Sequence, residues 1–455
     1  MTIEGDSIMK QNYQAWTSRL GFILSSAGAA IGLGAIWRLP YVTGTSGGGA
    51  FFLIFVLFTL LIGLPMLIAE FTIGRGTGLE AVSAYKKLAP RSLWVWVGRL
   101  GVLGCFLLLS FYSVVGGWVL IYSGKSIGNK IIGENVAYDA LFGSVVGDPL
   151  VTIMGLLLFT LINVAVISFG IKNGIERMNK YMMPLLFIFL IIIVVRALTL
   201  EGAMEGVKFF LAPDFSRING EAVLYALGQS FFSLAVGFSC MVTYSSYLDK
   251  RVSLTTSASW VVSMNIFVSL LAGLAIFPVV FAFGLAPDHG PSLLFIVLPE
   301  AFAQMPLGSL FLSLFLILFL FATLTSSFSL YEIIVAAFTA SGKYSRRNVS
   351  IILGIILFIV AIPAALSSSL LADFTIFGLS AFDATDYLVS NILLPLGSLL
   401  IALFIIHKMD QSLVKSQFMI GTNLSSGYYK LWHFLMKFIV PIFIILVYLN
   451  LLGII

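Results

Sequence analysis

Apolar runs of about 20 residues, separated by short polar stretches, recur along the whole chain. They fall at 21–43, 50–74, 94–123, 149–170, 181–200, 221–247, 255–284, 305–340, 348–366, 384–407 and 432–453. A helix of that length crosses the hydrocarbon core of a bilayer, so the pattern predicts an all-α integral membrane protein with about 11 transmembrane helices. Composition agrees: 60% of residues are hydrophobic and only 10% are charged, with 40 Phe, and mean hydropathy is +1.07. A soluble core of this size has no place for so much apolar surface.

Two of these runs carry residues that suit a lipid-facing helix poorly. In the first, Gly28-Ala29-Ala30-Ile31-Gly32-Leu33-Gly34 runs into Ala35-Ile36-Trp37-Arg38-Leu39-Pro40. Glycine costs about 1 kcal/mol relative to alanine inside a helix, and a membrane-embedded Arg needs a partner or water. Small residues also let helices pack closely, but the Arg favours a helix broken to expose its backbone. The sixth run repeats the theme at Gln229 to Ser239, with Ser230, Ser233, Gly237 and Ser239 in it. Backbone freed from helical bonding cannot face lipid, and matched breaks in two halves point to a transporter site. Half-helix N-termini then suit an anion, and freed carbonyls a cation. The eighth run adds Ala322-Thr323-Leu324-Thr325-Ser326-Ser327. Its hydroxyls either bond back to their own helix or serve as oxygen ligands for a hard cation such as sodium.

Charge sets the threading. With the N-terminus inside, inner loops hold most of the cations, among them Arg75, Lys86, Lys87, Arg91, Lys250, Arg251, Arg346 and Lys408. Outer loops hold only Lys125, Lys130, Arg196, Lys208 and Arg217, and the loops around Asp288 and Asp373 hold none, as the positive-inside rule requires. This predicts a multi-pass protein of the plasma (inner) membrane, with the N-terminus cytoplasmic and the end at Ile455 outside.

Other chemistry is thin. Cys105 and Cys240 both lie in apolar runs, which suits packing rather than a disulfide. His289, His407 and His433 have no ligand-like spacing, and no nucleophile–base pair is evident, so an enzyme is not expected. The net charge of +5 sits in membrane loops and carries no nucleic-acid message, and no obligate protein partner is evident. Residues Met1 to Gln14 include Glu4 and Asp6 and do not read as a signal peptide.

Together these stretches resemble the sodium-coupled neurotransmitter and amino-acid symporters. The resemblance is carried by Trp16 to Gly21, Gly28 to Pro40, Gly47 to Phe51, Ile62 to Pro65 with Glu70 and Gly74-Arg75, and Phe111-Tyr112. It continues through Gln229 to Tyr247, Asn265 with Gly273, Thr325 to Ser327, and Asp383 to Asp386. It implies the leucine-transporter-like fold: ten core helices in two inverted five-helix repeats, the first and sixth unwound at mid-membrane. The chain then divides into a cytoplasmic tail (1–20), a first repeat (21–200), a second repeat (201–410), and a cytoplasmic loop with the last helix (411–455).

The resemblance also implies site residues. A second sodium site carries over to Gly28, Ile31, Ala322, Thr325 and Ser326, and every required side chain is present. A first sodium site carries over to Ala30, Ser233 and Asn265, but Ala35 stands where relatives have Asn and one side-chain oxygen is missing. One sodium is therefore expected and a second left open. The substrate pocket carries over to Ala29, Ala30, Leu33, Gly34, Leu108, Tyr112, Phe232, Ser233, Ala235, Phe238, Ser326 and Leu330. Monoamine carriers resemble this pattern with Asp where Gly32 stands, so a neutral, apolar or aromatic amino acid is the expected substrate.

An outer gate carries over to Arg38 and Asp386, with Phe232 and Tyr112 beneath it. The inner-gate positions align with Tyr13 and Ala340, which cannot form an ion pair, and Trp16, Ser246, Tyr247 and Glu332 are nearby candidates. A chloride site carries over to Gln229, Ser233, Asn265 and Ser269, with Phe55 replacing a usual Tyr; ordinary interhelical hydrogen bonds are the alternative. The expected function is sodium-driven import by alternating access. Rival readings are the same fold coupled to protons through Glu70 or Glu332, and an amino-acid sensor that does not transport.

Overall fold

Prolines decide where many of these helices loosen. In the computed structural model, which describes residues 15–133, 136–287, 290–451 and 454, wide helical turns occur at Gly34–Arg38, Thr59–Gly63, Leu388–Leu393 and Leu435–Ile439. Each ends two residues before a proline: Pro40, Pro65, Pro395 and Pro441. Proline lacks an N–H, and its ring collides with the carbonyl four residues back. The helix responds by reaching five residues back, as Leu39 N–H does to the Gly34 carbonyl and Leu64 N–H to that of Thr59.

The membrane helices, labelled in order, are α1 (Arg19–Ala30), α2 (Gly34–Thr45), α3 (Gly49–Thr77), a short α4 (Ala81–Leu88), α5 (Val95–Ile127), α6 (Pro149–Ser168) and α7 (Ile171–Leu198). There follow α8 (Gly220–Ser233), α9 (Cys240–Ser246), α10 (Leu254–Ala282), α11 (Gly308–Thr339), α12 (Arg346–Ala365), α13 (Ala381–His407) and α14 (Ser426–Leu451). Among the described residues, 9 helices are long and apolar enough to span a bilayer, and α1 with α2 makes a further span bent by 47°. The expected sixth span is split into α8 and α9 by the six residues Leu234 to Ser239. The fifth departs most from expectation: α7 starts ten residues earlier than 181, because Ile171–Glu176 is polar in sequence yet helical.

Side chains that accept backbone N–H groups mark many of the starts. Ser18 Oγ takes Gly21 N–H at 3.0 Å, Asn219 Oδ1 takes Ala222 N–H at 2.7 Å, and Ser253 and Ser345 do the same for α10 and α12. Once formed, α1, α5, α10 and α11 surround the two breaks, and their inward faces are almost entirely buried. Outward faces carry exposed Leu, Ile and Phe, as on α7 at Ile188, Ile191 and Val195, where lipid replaces water.

Candidate functional site

The second break has a clear local cause. Ala235, Gly237 and Ser239 adopt φ of +52°, +106° and +57°, left-handed geometry that no helix continues through. The amides this frees find a carboxylate. Glu70 of α3 accepts Gly237 N–H at 2.7 Å and Met241 N–H at 3.0 Å, capping the start of α9 from a fully buried position. The first break lies where Ile31 ends α1 at φ −91° and ψ +40°.

A small closed pocket lies between the two breaks. Of the twelve predicted substrate residues, ten line it: Ala29, Ala30, Gly34, Leu108, Tyr112, Phe232, Ala235, Phe238, Ser326 and Leu330. Leu33 and Ser233 do not, although Leu33 donates its N–H to the Tyr112 hydroxyl at 3.3 Å. Gly32, singled out by the comparison with monoamine carriers, lines it as well, and so do Cys240 and Leu394, which were missed. Leu394 follows a wide turn in α13, and Cys240 sits just past the second break, so helical periodicity could not have aimed either one inward. Gly32 is the tightest position. A Cβ there would lie 2.4 Å from Ser326 Oγ and 2.8 Å from Tyr112 Oη.

Of the five predicted second-sodium residues, Gly28, Ala322 and Thr325 come together. Thr325 Oγ1 lies 3.1 Å from the carbonyl oxygens of both Gly28 and Ala322, joining α11 to the end of α1. The approach is close enough that a Cβ on Gly28 would meet Thr325 Cβ at 3.0 Å. Ser326 turns aside, donating to the Ala29 carbonyl at 2.8 Å.

At the predicted first site, the Asn265 amide donates to the Ala30 carbonyl at 3.0 Å, the Ser233 carbonyl at 3.0 Å and Ser233 Oγ at 2.9 Å. Ser233 Oγ also lies 3.0 Å from Asn265 Oδ1, so these groups bond one another across α8 and α10. Of the chloride-type set, Gln229 donates to the Gly34 carbonyl at 2.6 Å, and Ser233 Oγ faces Asn265. Ser269 Oγ and Gln229 Oε1 are buried with no hydrogen bond among the described residues.

Arg38 and Asp386 do meet, at 3.9 Å, but through an intermediary. Arg38 donates to Ser390 Oγ at 3.0 Å, and Ser390 donates to Asp386 at 2.6 Å. The Arg38 guanidinium also lies over the Phe232 ring, 4.8 Å from its centroid. Ser390 was missed, although its place one turn after Asp386 on α13 was a usable signal.

On the other side of the pocket, Tyr13 lies outside the described residues, and Ala340 ends α11 with no polar group to offer. The closure is instead built on Glu332. This carboxylate pairs with Arg346 of α12 and accepts the Tyr247 hydroxyl at 2.9 Å. Arg346 had been read only as a loop charge, and it binds the Ile167 carbonyl as well, at 2.8 Å. Trp16 joins by donating its indole N–H to the Tyr244 carbonyl at 2.8 Å. Ser246 takes no part, since it bonds back to Thr243. Beside this cluster, Thr17 and Lys180 both bind Glu176.

The chain is similar to known proteins along nearly its whole length. The model of the sodium:neurotransmitter symporter family matches residues 13–137 and 145–453. The uncharacterized sodium-dependent transporter YhdH of Bacillus subtilis is 51% identical over 440 residues, covering 96% of this chain and 98% of its own. An uncharacterized sodium-dependent transporter of Haemophilus influenzae is 38% identical, with 96% and 98% covered. The crystal structure of MhsT in complex with L-phenylalanine superposes with a TM-score of 0.90 at 40% identity, covering 96% of this chain and 99% of that one. The fold is the leucine-transporter-like one, and its members are membrane carriers rather than enzymes. This chain belongs to the sodium:neurotransmitter symporter family.

Proposed function

We propose that the chain imports a neutral, apolar or aromatic amino acid across the plasma (inner) membrane, driven by sodium, by alternating access. The observation that carries the substrate class is the cradle at Gly32. Position 32 leaves no room for an acidic side chain, so a bound amine must bring its own carboxylate. Tyr112 accepts the Leu33 N–H and therefore has its own hydroxyl proton to offer that carboxylate. The Ala30 carbonyl, at the end of α1, accepts the Asn265 amide and keeps a lone pair for the ammonium. Leu108, Phe238, Leu330 and Leu394 offer the side chain only apolar contact, and the likeness to a carrier solved with L-phenylalanine supports the same class.

Coupling runs through the Gly28, Ile31, Ala322, Thr325 and Ser326 set, with one sodium per substrate, since Ala35 gives the other set no side-chain oxygen. Protons are not favoured as the driving ion, because Glu70 and Glu332 are each committed to structural partners. The N-terminus is cytoplasmic, the end of the chain outside, and the two repeats are 21–200 and 201–410, with 411–455 appended.

The test is uptake into proteoliposomes, with ligands first chosen by thermal shift across the twenty amino acids in sodium and in choline. Sodium-dependent stabilisation by apolar or aromatic amino acids, and uptake that stops in choline, are expected. Uptake unchanged in choline overturns the proposal, and binding without counterflow would make the chain a sensor. Reversal potentials giving two or more sodium ions would overturn the stoichiometry, and replacing chloride with gluconate tests the Gln229–Ser269 set.

A further inference from the structure

We infer that an anionic phospholipid docks in an apolar groove between the start of α5 and α13, its phosphate received by Arg99. The groove is lined by Leu93, Trp96, Arg99, Leu100 and Leu103, with Leu400 of α13 across from them. Trp96, Arg99, Leu100 and Leu103 are spaced to form one stripe of α5. That stripe faces outward: Trp96 is 58% exposed and Leu103 52%. Trp and Leu are ordinary at the lipid boundary of a membrane helix, but a guanidinium among them is costly without an anion.

Protein supplies none. Arg99 stacks on the Trp96 ring at 4.6 Å and forms no ion pair among the described residues. Lys86 and Arg91 are exposed on the segment leading into α5, while Lys87 is held by the Thr77 carbonyl. From Ala81 to Gly133 the chain has no Asp or Glu at all. A phosphate with net negative charge satisfies this cluster better than a zwitterionic headgroup, and the Leu-lined channel below it takes an acyl chain. The bound lipid would brace two walls of the transport pocket, since α5 carries Tyr112 and α13 carries Leu394.

The experiment is native mass spectrometry of the purified full chain titrated with phosphatidylglycerol or phosphatidylcholine. Arg99→Gln is expected to weaken phosphatidylglycerol binding about fivefold and leave phosphatidylcholine unchanged, with Lys208→Gln behaving as wild type. Equal phosphatidylglycerol binding by Arg99→Gln and wild type overturns the inference. So does equal affinity of wild type for the two lipids, or loss of a second copy of the chain, rather than of lipid, in the variant. A photoactivatable phosphatidylglycerol on wild-type protein is expected to label 93–103 or the stretch of α13 around Leu400; labelling elsewhere overturns the inference without needing the variant to fold.

Discussion

The two ends of the transport pocket are closed by different physics. At the end proposed to face outside, Arg38 and Asp386 stand 3.9 Å apart with Ser390 between them, and their side chains keep 17% and 35% exposure. At the end proposed to face the cytoplasm, Glu332 is fully buried and holds Arg346 and Tyr247 together. A partly exposed, serine-relayed pair is cheaper to part than a fully buried one, which leaves an uncompensated charge when broken. The outer door is therefore the lighter one in this structure, and opening the inside must move several groups at once.

That contrast can be broken most forcefully from within. Glu332→Gln removes the only carboxylate facing Arg346 among the described residues and is expected to cost about 3–5 kcal/mol. The check is thermal stability in detergent alongside labelling of engineered cysteines from the inner side, which should rise. A variant as stable as wild type would remove the distinction between the two closures.

Between the doors, Tyr112→Phe deletes the hydroxyl that binds Leu33 and, in the proposed pose, the substrate carboxylate. Hydrogen bonds to charged groups contribute about 1.5–3 kcal/mol, so substrate Kd should rise by ten- to a hundredfold with little change in sodium affinity. Radioligand binding at fixed sodium measures this. The smallest effect belongs to the outer door. Ser390→Ala removes the relay from a partly exposed pair whose ends stay 3.9 Å apart and should cost less than about 1 kcal/mol. The loss should appear as faster substrate release to the outside rather than as lower stability, and stopped-flow dissociation rates would show which.

Much of this design is readable in the chain, and the exceptions have physical reasons. Hydrophobic runs located the spans, since lipid imposes the same pattern on every one. Polar Ile171–Glu176 hid the start of α7, because helical residues at a membrane surface need not be apolar. Arg38 announced a partner through its cost in the bilayer, and Asp386 was there. Arg346 announced nothing: it follows a polar loop, and only the packing of α12 against α11 brings it to Glu332. The Ala35 departure was visible as a missing oxygen, but the way Asn265 ties the Ala30 and Ser233 carbonyls together depends on a side-chain rotation that no spacing encodes.

The crowding at Gly32 also limits what this protein can become. A single Gly32→Asp exchange would set a new Cβ against Ser326 and the Tyr112 hydroxyl before its carboxylate reached any amine. Both of those groups belong to the proposed ion and substrate contacts, so they cannot be trimmed without loss. A route from amino-acid carrier to amine carrier would thus need coordinated changes on α1, α5 and α11, with the early steps disabled. One missing Cβ makes the substrate preference hard to reach by stepwise mutation and equally hard to leave.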